Sequence, residues 1–197
     1  DSDLYYFNHN LNVVSTLQYK DNHFPVSAAD DFDPVTPTNF QLGTMGGYYK
    51  YQEYLDEIDS MRSKYPNLIS AKDPIDTYTT IDGNPIYWMR ISDNPDVYEN
   101  EEEVLYTSLH HSREPASLSQ LIFYMWYLLE NYGTNSEVTY LVDNTEMYFV
   151  PMINPDGYRY NELTDPNGGG MHRKNRRNVG TSNKGVVELA TTAETTT

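Results

Sequence analysis

The spacing of apolar and polar residues changes several times along the chain, and each change marks an element. Between Tyr49 and Lys64, Tyr51, Tyr54, Leu55, Ile58 and Met61 recur at helical spacing and Pro66 supplies a stop, which predicts a helix. Two β-rich runs follow, roughly Ile75 to Ile81 and Ile86 to Ile91, joined by Asp82-Gly83-Asn84. An Asp-Gly pair between such runs predicts a hairpin. Asn94 to Glu103 reads as an acidic, solvated loop. Val104-Leu105-Tyr106-Thr107-Ser108-Leu109 has the β-branched and aromatic content of a buried strand. Ser117 to Asn131 is long enough for a helix, and Leu118, Leu121, Ile122, Met125, Trp126, Leu128 and Leu129 make it apolar nearly all round, so it is expected to lie buried against a sheet. Gly133 closes it. A short polar helix, about Glu137 to Asp143, leads into a last strand-like run, Glu146 to Ile153, that ends at Asn154-Pro155-Asp156-Gly157. After the first helix the order is β, β, β, α, α, β, which predicts an α/β sandwich with a mixed sheet.

The flanks lack such patterning. Residues 1–41 carry Pro25, Pro34 and Pro37 among Asp, Asn and Thr and read as an extended arm, a linker or the end of a masking pro-segment. Residues 187–197 form a low-complexity Thr/Ala/Glu tail. The chain opens at Asp1 with no charged-then-apolar leader, so an amino-terminal piece is expected to have been removed from it.

Composition narrows the chemistry. The 197 residues are 38% hydrophobic and 14% aromatic, enough for one domain with a real core. A net charge of -16, from 29 acidic against 13 basic residues, repels phosphate backbones and makes nucleic acid an unsuitable partner. No cysteine is present, so any metal must be held by His, Asp or Glu. The longest apolar run, Leu118 to Leu129, is shorter than the roughly 20 residues of a bilayer span. Nineteen tyrosines on an acidic chain suit an exported protein.

The stretch His110-His111-Ser112-Arg113-Glu114-Pro115 falls between the predicted strand and the long helix, at the carboxyl edge of a strand, where α/β ligand sites collect. His111-x-x-Glu114 brings an imidazole and a carboxylate together in one turn, close enough to share a zinc ion, whose third ligand must come from elsewhere. Pro115 suits the first helical position. Strand alternation points His110 to the opposite face from His111, as a packed or supporting histidine. A second polar cluster, Met171-His172-Arg173-Lys174-Asn175-Arg176-Arg177, follows Asn167-Gly168-Gly169-Gly170 and carries four of the thirteen basic residues. Read alone it is a solvated basic loop; beside a metal pair, its arginines suit an oxyanion or a substrate carboxylate.

Four segments in order resemble the zinc metallocarboxypeptidases of the carboxypeptidase A/B type, particularly bacterial secreted members: Gly46-Gly47-Tyr48-Tyr49, His111-Ser112-Arg113-Glu114, Phe149 through Tyr158, and His172-Arg173-Lys174-Asn175-Arg176. The resemblance implies that residues 42–186 are the amino-terminal part of a catalytic domain with the family's mixed-sheet α/β sandwich. It implies Zn²⁺ as cofactor, with His111 and Glu114 as two of three metal ligands. It further implies Arg113 in substrate subsites, Arg173 in substrate binding and as the catalytic arginine at the oxyanion, and peptide or protein C-termini as substrates. The implied reaction is hydrolysis of the last peptide bond by a metal-activated water.

The resemblance stops near Gly185-Val186. Where the family continues with an Asp-Leu-Asn-Arg-Asn-like motif, this chain reads Val187-Glu188-Leu189-Ala190, and Glu188 and Glu194 are the only carboxylates of the tail. The third ligand and the general base are therefore not found, and the fold is expected to be incomplete. Apolar faces, including that of the 118–129 helix, are then expected to be exposed and to drive self-association. The alternative reading is a non-catalytic zinc- or peptide-binding fragment.

Overall fold

The structure, a computed structural model, describes residues 35–178. Most of the predicted arm and all of the tail with Glu188 and Glu194 lie outside the described residues. The elements run α1 (Tyr51–Lys64), β1 (Asp73–Pro74), β2 (Tyr87–Ile91), β3 (Glu102–Thr107), α2 (Pro115–Asn131), α3 (Ser136–Asp143), β4 (Thr145–Val150) and α4 (Pro155–Thr164).

α1 starts where Glu53, three residues into the helix, reaches back to accept the Lys50 backbone N–H at 2.8 Å, and it carries Arg62 and Lys64 in its last turn, where cations suit the helix dipole. Its buried face is Tyr54, Ile58 and Met61, as the spacing predicts. α2 begins with a proline at its first turn and buries Leu118, Ile122, Met125, Trp126, Leu128 and Leu129. Glu57 of α1 accepts the Trp126 indole N–H at 2.9 Å, so even the polar edge of that large side chain is satisfied. Asn135 caps α3, accepting the backbone N–H groups of Glu137 and Val138.

The sheet order is β1-β2-β4-β3, antiparallel except for the parallel β3–β4 pair, which realises the expected mixed sheet. Tyr106 of β3 is paired with Phe149 of β4, their rings stack at 4.9 Å, and Tyr124 of α2 meets Tyr106 at 5.4 Å. α2 therefore lies over this face of the sheet. On the other face Arg90 and Glu146 form a buried ion pair at 3.1 Å.

Four expectations change. The strand at Ile75–Ile81 is not formed: only Asp73 and Pro74 pair with β2, and Ile75, Tyr78 and Ile81 are exposed. The reason is a tertiary competitor. The Asp156 carboxylate gathers the Thr80 hydroxyl, the Asp82 N–H at 3.0 Å and the Asn84 amide at 2.6 Å, and the turn closes on itself, Thr80 N donating to the Asn84 carbonyl and Gly83 N to the Thr80 carbonyl, both at 2.9 Å. The 118–129 helix is covered, and the exposed apolar surface lies instead on β3, which was expected to be buried: Val104 is 38% and Leu105 65% exposed. Within the described sheet β3 is hydrogen-bonded on one side only, by β4, so its outer edge and the face of Leu105 have no cover. Asn154-Pro155-Asp156-Gly157, where the last strand-like run was expected to end, opens α4, with Asn154 as its cap. Residues 38–41, at the end of the expected arm, lie against the domain: Glu130 accepts from Thr38 N at 2.6 Å and Asn39 N at 2.8 Å, and the Tyr49 hydroxyl donates to the Gln41 carbonyl.

Candidate functional site

β3 ends at Thr107, and the chain must then turn sharply to enter α2. Leu109 makes that turn with φ 50°, the one non-glycine residue in the left-handed region among the described residues. That conformation costs about 1–2 kcal/mol for a residue with a Cβ. It is held because Leu109 is buried, its carbonyl accepts from Asn154 N at 3.1 Å, and its N–H donates to the Ser117 hydroxyl at 3.1 Å. The Ser117 hydroxyl in turn donates to the Glu114 carbonyl at 2.8 Å, and Glu114 N donates to the His111 carbonyl at 3.0 Å, closing the turn that carries both candidate ligands.

Within it, His111 Nδ1 stands 3.2 Å and 3.1 Å from the two carboxylate oxygens of Glu114. Arg173 Nη2 lies 3.1 Å from the same nitrogen. A guanidinium can only donate, so in the tautomer with the proton on Nε2 the Nδ1 atom accepts from Arg173 and the Glu114 oxygens, also acceptors, face the same lone pair. In that tautomer three acceptor atoms face one point, which the guanidinium borders and a metal cation can share. Imidazole nitrogen and carboxylate oxygen are the donor types zinc takes, and the pair fits two positions of such a site. No third His, Asp or Glu joins them among the described residues. The one group of three there that could share an ion is Asp93, Glu99 and Glu101, in the loop leading into the opposite end of β3.

The other predicted positions separate. His110 is exposed rather than packed, and its Nε2 pairs with Thr107 Oγ1 at 3.0 Å, because the left-handed residue before it breaks the strand alternation. Its carbonyl accepts from the Asn154 amide at 3.3 Å. Arg113 is exposed, makes no hydrogen bond or ion pair among the described residues, and takes no part in the contacts that join His111, Glu114 and Arg173. A cleft of about 680 Å³, lined by Tyr51, Arg159, Tyr160 and Arg176 among others, contains none of those three side chains.

Arg173 reaches the turn because its segment is docked there. Ser112 N donates to the Arg173 carbonyl at 3.0 Å and the Ser112 hydroxyl to the His172 carbonyl at 2.6 Å. Burial, and then the positive charge of Arg176, pull the His172 imidazole below its usual range, although its ring donates hydrogen bonds to the Asn175 and Lys174 backbone, which act the other way. Gly157 allows α4 to approach both loops: a Cβ there would come 2.6 Å from Ser112 Oγ and 2.7 Å from the Lys174 carbonyl. Asn154 and Gly157 had a sequence signal as a helix start, Asn followed by Pro; Asn161, which bridges Ser112 and His172, had none.

The zinc carboxypeptidase family profile matches residues 54–189. A zinc carboxypeptidase of Saccharothrix mutabilis subsp. capreolus is 33% identical over 154 residues, which cover 78% of this chain. This chain spans only 35% of that relative's length. An inactive metallocarboxypeptidase of Saccharomyces cerevisiae is 27% identical over 121 residues, covering 61% of this chain and 26% of the relative. The crystal structure of thrombin activatable fibrinolysis inhibitor superposes with a TM-score of 0.56 at 23% identity, covering 68% of this chain and 31% of that one, a likeness that speaks for the fold alone. With the family profile matched across most of its length and the motif turn, the docked arginine segment and the mixed sheet in place, the chain belongs to the zinc carboxypeptidase family.

Proposed function

We propose that this chain carries part of the active site of a zinc metallocarboxypeptidase, one that removes residues from peptide or protein C-termini outside the cell. The observation that carries the reading is the convergence of His111 Nδ1, both Glu114 oxygens and Arg173 Nη2 within 3.1–3.2 Å. His111 and Glu114 would hold the metal, and a third ligand comes from outside the described residues. Zinc held there supplies a polarised, acidified water at neutral pH. Arg173 borders the same point, so its guanidinium can turn toward the oxygen of a scissile carbonyl as negative charge develops on it, a contact stronger in the transition state than in the ground state. Arg113, exposed on the same turn, is free to hold a substrate carboxylate or carbonyl further along the peptide. Among the described residues no helix is long and apolar enough to cross a membrane.

A second reading, a fragment that binds zinc or peptide termini without catalysis, is favoured by one observation: at the His111–Glu114 turn the described residues bring only two metal-binding side chains together. Zinc titration by calorimetry, followed by a C-terminally blocked and unblocked peptide pair as substrates, separates the two. Saturable binding of about one zinc per chain, as the two-donor notch requires, with release of the last residue only from the unblocked peptide, supports the enzyme. Binding without turnover supports the fragment, and the absence of saturable zinc binding removes both metal readings.

A further inference from the structure

Asn161 lies on the inner face of α4 and is only 4% exposed. Its amide is divided between two loops far apart in sequence. Nδ2 donates to the Ser112 carbonyl at 3.0 Å and to the His172 carbonyl at 2.8 Å, and Oδ1 accepts the His172 N–H at 2.9 Å. Ser112 directly follows His111, and His172 directly precedes Arg173. The side chain therefore sits at the one place where the backbone of the candidate metal turn and the backbone of the arginine segment are joined through a third element. The approach is as close as the chain allows: a Cβ on Gly170 would stand 2.6–2.7 Å from Cβ, Cγ and Oδ1 of Asn161.

We propose that Asn161 is a positioning residue that sets the reach of Arg173 toward the His111–Glu114 pair. This rests on the reading in which Arg173 faces the reacting carbonyl. The physical need is specific. An arginine carries its guanidinium at the end of a long, rotatable stem, so a small shift of its backbone becomes a large shift at Nη2, and misplacements of about 1 Å are enough to cost on the order of a hundredfold in rate. Fixing the residue before it with a paired N–H and C=O contact, as an amide side chain does, holds both position and orientation. Ser112 adds two contacts to the same segment, but they come from the metal turn itself. Among the described residues Asn161 is the side chain of α4 that hydrogen-bonds both partners; Tyr160 adds a ring contact to His172, and the cap, Asn154, holds the Leu109 and His110 carbonyls. The amide is buried and fully engaged; an apolar residue there would leave His172 N–H and two carbonyls without these contacts.

The test is site-resolved phenylglyoxal labelling of the 197-residue chain, with the modification rate of each arginine read by peptide mass spectrometry. Two variants perturb the joint by different chemistry. Asn161→Ala removes the amide, and Gly170→Ala leaves it in place and pushes it aside. In both, Arg173 should label faster by roughly twofold to tenfold per hydrogen bond lost, while Arg62, which is bound to Asp96 and the Pro66 and Ile69 carbonyls, keeps its rate. A purely structural role for Asn161 would lower the melting temperature and leave the Arg173 to Arg62 ratio unchanged in the folded variants, and that result overturns the proposal. If Asn161→Ala does not fold, Gly170→Ala decides by the same ratio. Labelling reads where Arg173 stands and is blind to turnover, so a failure here is distinct from a failure of the carboxypeptidase reading, which would show as missing zinc binding or missing peptide cleavage.

Discussion

Replacing His111 with alanine is expected to remove nearly all zinc binding, while the same change at His110 leaves it almost intact. The two imidazoles are sequence neighbours but stand in different surroundings. His111 Nδ1 faces both oxygens of Glu114 at 3.1–3.2 Å, whereas the His110 ring is bonded to Thr107 Oγ1 at 3.0 Å and is exposed. Four-ligand zinc sites in small domains hold the metal with about 10–16 kcal/mol near neutral pH, so one ligand accounts for about 2.5–4 kcal/mol, and losing it weakens binding roughly 70- to 900-fold. At His110 the alanine variant keeps the backbone carbonyl that Asn154 holds, and the only loss is one exposed side-chain hydrogen bond, so the affinity should change by less than about threefold. Competition against a chromophoric zinc chelator at neutral pH measures both, with Glu114→Gln as a second ligand variant expected to behave like His111→Ala. A larger loss at His110 than at His111, or unchanged binding in Glu114→Gln, would refute the assignment of the pair.

The buried ion pair of the sheet offers a stability prediction. Glu146 is 0% exposed and accepts from Arg90 at 3.1 Å, from Glu99 N at 2.6 Å and from the Tyr148 hydroxyl at 2.7 Å, so Glu146→Ala strands a guanidinium that is itself only 7% exposed. A loss of about 3–5 kcal/mol is expected in urea unfolding, and a loss under about 1 kcal/mol would mean that solvent reaches Arg90. The edge of β3, uncovered among the described residues, predicts concentration-dependent self-association by sedimentation velocity, reduced by Leu105→Lys, because a charged residue blocks edge pairing. A chain that stays monomeric across the concentration series would show that Leu105 and Val104 do not form a sticky edge.

Much of this protein is written in local pattern. Helical spacing from Tyr51 to Met61 determined α1 and its buried face, and the apolar run after Ser117 determined α2, because burial of a helix face needs only the right residues at the right period. His111-x-x-Glu114 was legible for the same reason: two ligands three residues apart on one turn depend on local geometry alone. What the tertiary structure decided is everything that two distant segments settle between them. The Ile75–Ile81 run has strand-like residues, yet Ile75, Tyr78 and Ile81 stay exposed, and Asp156, more than seventy positions away, holds Thr80 at its end and the turn at Asp82 and Asn84 that follows. The run from Val104 has the content of a buried strand, yet it ends up at the edge of the described sheet, because burial depends on neighbours and not on the strand itself. Arg173 was a candidate by resemblance, but its approach to His111 rests on Ser112 and Asn161, and Asn161 carries no mark in the sequence because its role exists only where α4 meets two loops at once.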